Sequence, residues 1–107
     1  MSGFDDRKKG EEARFAHNAE LRFKAEVRRN KLLGLWAADK LGLTGQAATE
    51  YAQEVVASDF AEAGDDDVLR KVAGDFRGKG VAIADEAIRA EMSRLVEVAR
   101  SQVLGEG

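Results

Sequence analysis

The sequence predicts an all-α protein, a four-helix bundle with a mobile N-terminal arm continuous with its first helix. Three observations predict it. Apolar residues recur at three- and four-residue spacing through most of the chain, as one buried helix face requires. Glycines fall between these segments, where helix ends use them. No run alternates polar with β-branched residues, so no strand is expected. The 107 residues suffice for one domain with one modest core, and with no proline present no helix need be kinked by one.

The first helix is the unusual one. Phe15 to Ala38 reads FAHNAELRFKAEVRRNKLLGLWAA. From Leu32 onward it reads as a core helix, because Leu32, Leu33, Leu35, Trp36, Ala37 and Leu41 surround its axis, and Trp36 is expected to be buried. Before Glu20 the apolar residues are sparse. Phe15, Ala19 and Phe23 share a face, but nothing similar continues to Phe4. Gly10 lies inside this charged stretch and costs up to about 1 kcal/mol of helix relative to alanine. An isolated helix of this length is marginal in water. Residues 1–19 are therefore expected to form a flexible arm, mobile in the free protein and helical when bound, and residues 20–107 a four-helix globular domain.

Leu41-Gly42-Leu43-Thr44-Gly45 breaks the first helix from the second. Gly42 suits a left-handed position past a helix end, and Thr44 can cap the second helix. That second helix is expected over Gln46 to Glu62, with Ala48, Tyr51, Ala52, Val55, Val56 and Phe60 on its inner face. Gly64 closes it. Asp65 can accept hydrogen bonds from the free amides of the third helix, while Asp66 and Asp67 face the positive end of its dipole. The third helix is expected from about Asp66 to Lys79, inner stripe Val68, Leu69, Val72, Ala73 and Phe76, stopped by Gly78 and Gly80. Val81-Ala82-Ile83 reads as a linker packed on the core. The fourth helix begins at Ala84 or Asp85 and buries Ile88, Met92, Leu95, Ala99 and Val103, with Gly105 to Gly107 as a frayed tail.

Composition then excludes whole function classes. Without cysteine there is no disulfide framework, cysteine-ligated zinc or thiol nucleophile, which fits a reducing cytoplasm. No apolar run comes after the first charges, so no secretory signal is expected, and Leu32 to Ala38 is far too short to span a bilayer. Residues 1–31 carry nine Lys/Arg against six Asp/Glu, whereas residues 32–107 carry eight against fourteen. An acidic body argues against nucleic acid as the main ligand. A basic arm on such a body suits docking to an acidic protein surface, although solvated helix faces would give the same pattern.

Catalytic and metal chemistry is sparse. His17, the sole histidine, has only Glu12 and Glu20 near it at helical spacing and reads as solvated or partner-facing. Asp65-Asp66-Asp67 lacks the alternating ligands and distal glutamate of a calcium loop, so capping is the better account. Gly74-Asp75-Phe76-Arg77-Gly78-Lys79-Gly80 lacks the strand and the Gly-Lys-Ser/Thr ending of a phosphate loop, which leaves Arg77 and Lys79 as candidates for weak anion or nucleotide binding. Arg28-Arg29-Asn30-Lys31 is a basic cluster diluted by Glu20 and Glu26, read as structural or protein-docking rather than nucleic-acid-binding. No nucleophile–base pair stands out, and the protein is not expected to be an enzyme.

The segment Phe15-Ala16-His17, Glu20 to Ala25 and Arg28 to Ala38 resembles the zeta subunit family of alphaproteobacterial F-type ATP synthases. The likeness extends through Phe4-Asp5-Asp6-Arg7, Tyr51 to Val56, Asp59-Phe60, Arg70-Lys71-Val72, Asp75-Phe76, Ile88-Arg89 and Met92. The resemblance implies an inhibitor of ATP hydrolysis by that synthase, cytoplasmic and peripheral to the membrane-bound enzyme. It implies that the N-terminal arm is the inhibitory element, ordered as a helix when wedged between catalytic subunits near the rotor. Carried onto this chain, the partner-binding residues would be Phe4, Asp5, Asp6, Arg7, Lys8, Lys9, Phe15 and His17. Phe4 and Phe15 would be apolar anchors and the cations would pair with charge. The free form is expected to be a monomer. Gly10 and Asn18 depart from the family's habit of a better helix former and an acidic residue at those places. Some members are thought to bind purine nucleotides, so ADP or ATP is a candidate ligand, and a small nucleotide-binding module is the alternative function.

Overall fold

The computed structural model describes residues 18–60 and 65–106. Among them are four α-helices and one short 3-10 turn, with no strand. Helix α1 spans Ala19–Lys40, α2 Gly45–Ala57, α3 Asp66–Gly78 and α4 Asp85–Glu106, and the 3-10 turn Ser58–Phe60 continues directly from α2.

The helix ends show why the chain breaks where it does. Asn18 has an extended backbone, and its side-chain oxygen accepts from the Leu21 amide at 3.1 Å, so α1 starts with a satisfied N-cap. At the other end Gly42 takes φ +78°, and the Leu43 amide reaches back to the Ala38 carbonyl at 2.8 Å. This is the paired closure that needs a left-handed residue just past the helix. Gly80 repeats it after α3, with φ +72° and the Val81 amide on the Phe76 carbonyl at 2.8 Å.

Helix α1 is the spine. It packs most extensively on α2 and α4, with lesser contact to α3. Its partner α4 runs the opposite way: Ala25 packs with Val103 and Arg28 bonds Gln102, while Lys40 at the far end of α1 acts on the charge of Glu91 early in α4. The core gathers Leu33, Ala37 and Ala38 of α1, Tyr51 and Val55 of α2, Val68, Leu69, Val72, Ala73 and Phe76 of α3, and Ile88, Met92 and Leu95 of α4. The inner stripes expected for α3 and α4 are buried residue for residue.

Several expectations are corrected. Leu35 is 37% exposed and Trp36 only half-buried, because α1 has neighbours on three sides and not all round. Trp36 meets Phe76 edge-on, ring centroids 5.8 Å apart. The regular part of α2 ends at Ala57, where the backbone tightens into the 3-10 turn. Thr44 and Asp65 occupy the N-cap positions of α2 and α3 but make no side-chain capping bond there. Gly105 and Glu106 are not frayed: α4 runs to Glu106, whose carboxylate pairs with Arg28 of α1.

Candidate functional site

The described residues at the end of the bundle where α1 begins are held by little apolar contact. Leu21 and Ala25 rest on Leu104 and Val103 at the end of α4. Arg28 adds polar contacts to Gln102 and Glu106. On another face of α1, Phe23 is 58% exposed, the most open large apolar side chain among the described residues. Val27, one turn on, lines an apolar groove of about 280 Å³ between α1 and α2, together with Lys31, Thr49, Ala52, Gln53 and Val56. The stripe that the sequence runs through Phe15, Ala19 and Phe23 thus reaches solvent at its described end.

A knot of polar groups ties the middle of α1 to the α2–α3 connection. Arg29 and Asn30, read from sequence as part of a structural or protein-docking basic cluster, are buried at 5% and 1% exposure. The Arg29 Nη2 donates to Asp65 Oδ1 at 2.8 Å and its Nε to Asn30 Oδ1 at 2.8 Å, while Asn30 Nδ2 donates to Asp59 Oδ2 at 2.9 Å. Asp65 turns one carboxylate oxygen to this guanidinium, and its backbone is helical and not extended as a capping residue's is. Glu26 completes the knot from the solvent rim, and one carboxylate oxygen from each of Glu26, Asp59 and Asp65 lies within 4.8 Å of the others. Arg29 already donates to Asp65 and Asn30 to one oxygen of Asp59, and we assign no metal to this cluster. The adjacent Asp59 carboxyl, reinforced by burial and by the negative charge of Asp65, holds the Glu26 carboxyl above the usual glutamate range despite the opposing pull of Arg29. Sequence reasoning missed this knot. Asp59 and Asp65 stand 29 and 36 residues from their partners, and no spacing rule links them.

The candidate ligand residues part company. Lys79 lines a cleft of about 350 Å³ with Leu41, Leu43, Tyr51, Lys71 and Asp75, whereas Arg77 is not among its lining residues and reaches toward Asp85 at 3.8 Å on the surface. Inside that cleft the Tyr51 hydroxyl donates to Asp75 Oδ2 at 2.7 Å. Lys71 pairs with the same oxygen at 3.0 Å and lies over the Tyr51 ring at 5.2 Å from its centroid. Phe4, Asp5, Asp6, Arg7, Lys8, Lys9, Phe15 and His17 lie outside the described residues. So do residues 1–17 of the expected arm, while Asn18 and Ala19 form the N-cap and first residue of α1.

These features define a small four-helix protein whose first helix presents an open aromatic side chain near its start. No described helix is long and apolar enough to cross a membrane. The family is settled by sequence: the model of the ATPase inhibitor subunit zeta family matches residues 1–102, and the chain belongs to that family. No curated protein matches it. A structure solved by NMR in solution is similar to it, with 49% sequence identity and a TM-score of 0.73, covering 81% of this chain and 99% of that one.

Proposed function

We propose that this protein inhibits ATP hydrolysis by its F-type ATP synthase by inserting residues 1–19 as a helix into a catalytic subunit interface near the rotor. It acts by binding and not by catalysis, from the cytoplasmic side of the membrane-bound synthase. The observation that carries this reading is the family match across residues 1–102, which includes the whole arm. The open face at Phe23 supports it, because the apolar stripe of the arm leads into it. Phe4 and Phe15 supply apolar anchors, and Arg7, Lys8, Lys9 and His17 pair with acidic groups flanked by Asp5 and Asp6. Ordering the arm costs entropy that its own sparse apolar residues do not offset, so the catalytic and rotor subunits must supply the missing surface. The test is ATP hydrolysis by the cognate synthase with the full chain and with residues 1–19 removed. Loss of inhibition on removal is expected, and equal inhibition by both would remove the arm from the mechanism.

One observation favours a second reading, binding of ADP or ATP. The cleft holding Lys71 and Lys79 is lined by Gly74 and Gly78, over which a ring could lie close to the backbone. Arg77, outside the cleft lining, would add charge only from its edge. Chemical-shift mapping with each nucleotide tests it: saturable shifts clustered at Lys79 support binding, and scattered ones do not.

A further inference from the structure

Along α1, Lys24 pairs with Glu20, Arg28 with Glu106 and Arg29 with Asp65, whereas no carboxylate among the described residues pairs with Lys31. Lys31 is exposed, and it is the one charged side chain lining the groove between α1 and α2. Ala52, 1% exposed, floors that groove; Val27 and Val56 are its half-buried walls, and Thr49 and Gln53 stand open at its rim. Phe23, Val27 and Lys31 follow one another at four-residue spacing. They therefore form one line on α1, about 12 Å from first to last. We propose that this line and groove seat a helix of the synthase's catalytic sector, one that lays apolar side chains on Phe23 and Val27 and a carboxylate on Lys31. This rests on the inhibitory reading and carries its contact beyond the arm onto the bundle.

Charge selects this occupant. Residues 32–107 carry an excess of acid, yet no carboxylate lines the groove. The glutamates of α2 are turned or engaged elsewhere: Glu54 lines the cleft that holds Lys79, and Glu50 takes a bond from the Gln46 side chain. The groove is thus a positive spot on an acidic body. An acidic side chain of a partner is drawn to Lys31 and turned away from most of the remaining surface. A second copy of this chain fits poorly. A two-fold contact would put both Lys31 side chains on the shared surface, and neither groove offers a carboxylate to receive them. The outer face of a packed helix pair suits a third helix, whose apolar stripe lies between the two. At about 280 Å³ the groove is too small to hold a protein by itself. It serves as the continuation of the arm's contact, and the pair at Lys31 fixes register more than it adds affinity.

The test uses the full chain and the catalytic sector of its cognate synthase. The chain has no cysteine, so a benzophenone label on Gln53→Cys, in the groove, or on Ser101→Cys, exposed on α4, marks one face at a time. Irradiation should join the Gln53 label to a synthase subunit and leave the Ser101 label unjoined. Lys31→Glu should weaken inhibition of ATP hydrolysis about fivefold at low ionic strength and by less at high. Its thermal unfolding should match the natural protein's, because Lys31 pairs with nothing in the bundle. Suppose the natural chain inhibits, but the Gln53 label joins only its own chain, a second copy or nothing, or both labels join the synthase equally. The groove is then not the seat, and the inhibitory reading stands without it. Inhibition by Lys31→Glu equal to the natural protein's at every salt concentration overturns the proposal in the same way. A natural chain that does not inhibit removes both readings. If the label at Gln53 itself abolishes inhibition, Lys31→Glu decides alone.

Discussion

Gly34 of α1 lies against Ala52 of α2 so closely that a Cβ at position 34 would stand 2.6 Å from the Ala52 Cα. The obstacle is backbone, which cannot swing aside as a long side chain can. Gly34→Ala must therefore push α2 away from the spine, and overpacking of this kind costs about 1–3 kcal/mol. Gly74 is the control. It is an exposed position inside α3 with nothing within 4 Å of a built Cβ. Gly74→Ala should stabilise by about 0.5–1 kcal/mol through helix propensity alone. Urea unfolding of the two variants should move in opposite directions.

Arg29 carries the next prediction. Removing its guanidinium leaves Asp65 without its partner and Asn30 without a donor to its Oδ1. Breaking a fully buried ion pair costs about 3–5 kcal/mol, but the Asp65 side chain is 49% exposed and water serves it in part. Arg29→Met should cost about 2 kcal/mol in urea unfolding. Asn30→Ala, at a site 1% exposed, should cost a similar amount, about 2 kcal/mol, because the Asp59 carboxylate then loses its protein donor.

Helix faces set by local period were legible in the sequence. Val68, Leu69, Val72, Ala73 and Phe76, and Ile88, Met92, Leu95, Ala99 and Val103, are buried as their spacing required. Burial set by partners distant in sequence was not legible. Arg29 and Asn30 carry the charge and polarity of a surface, and only Asp65 and Asp59 bring them inside. Leu35 and Trp36 failed for the opposite reason: a continuous apolar run implies burial all round, while the neighbours of α1 leave part of that turn uncovered. The family motif was legible, but the open setting of Phe23 was not, since a place on an apolar stripe with Phe15 and Ala19 implies cover rather than exposure.

Tyr51 gives a prediction at high pH. Burial, and then its hydrogen bond to the Asp75 carboxylate, push the phenol far above its ordinary value near 10. A group raised in the folded state stabilises fully below its unfolded value and ceases to as pH climbs past it. The chain has one tyrosine, so its absorbance reports this site alone. Tyrosinate absorbance should appear only together with loss of helical circular dichroism as pH rises above about 10. A phenol that ionises while the helices persist would show the site to be open. Tyr51→Phe should cost about 1 kcal/mol at neutral pH, since Lys71 still serves Asp75.

Phe23 separates stability from partner binding. Its side chain is 58% exposed, so little of the bundle depends on it, and Phe23→Ser should change unfolding free energy by no more than about 0.5 kcal/mol. If the partner's surface tracks the stripe from the arm onto α1, the same substitution removes an aromatic anchor, and inhibition of ATP hydrolysis should weaken about tenfold. Leu33→Ala provides the contrast. Leu33 is fully buried, so truncation should cost about 2–5 kcal/mol while leaving the presented face untouched. At a temperature where both variants are folded, Leu33→Ala should inhibit like the natural protein and Phe23→Ser should not. Undiminished inhibition by Phe23→Ser would confine the contact to the residues before Asn18, and the open face of α1 would then have no part in binding the synthase.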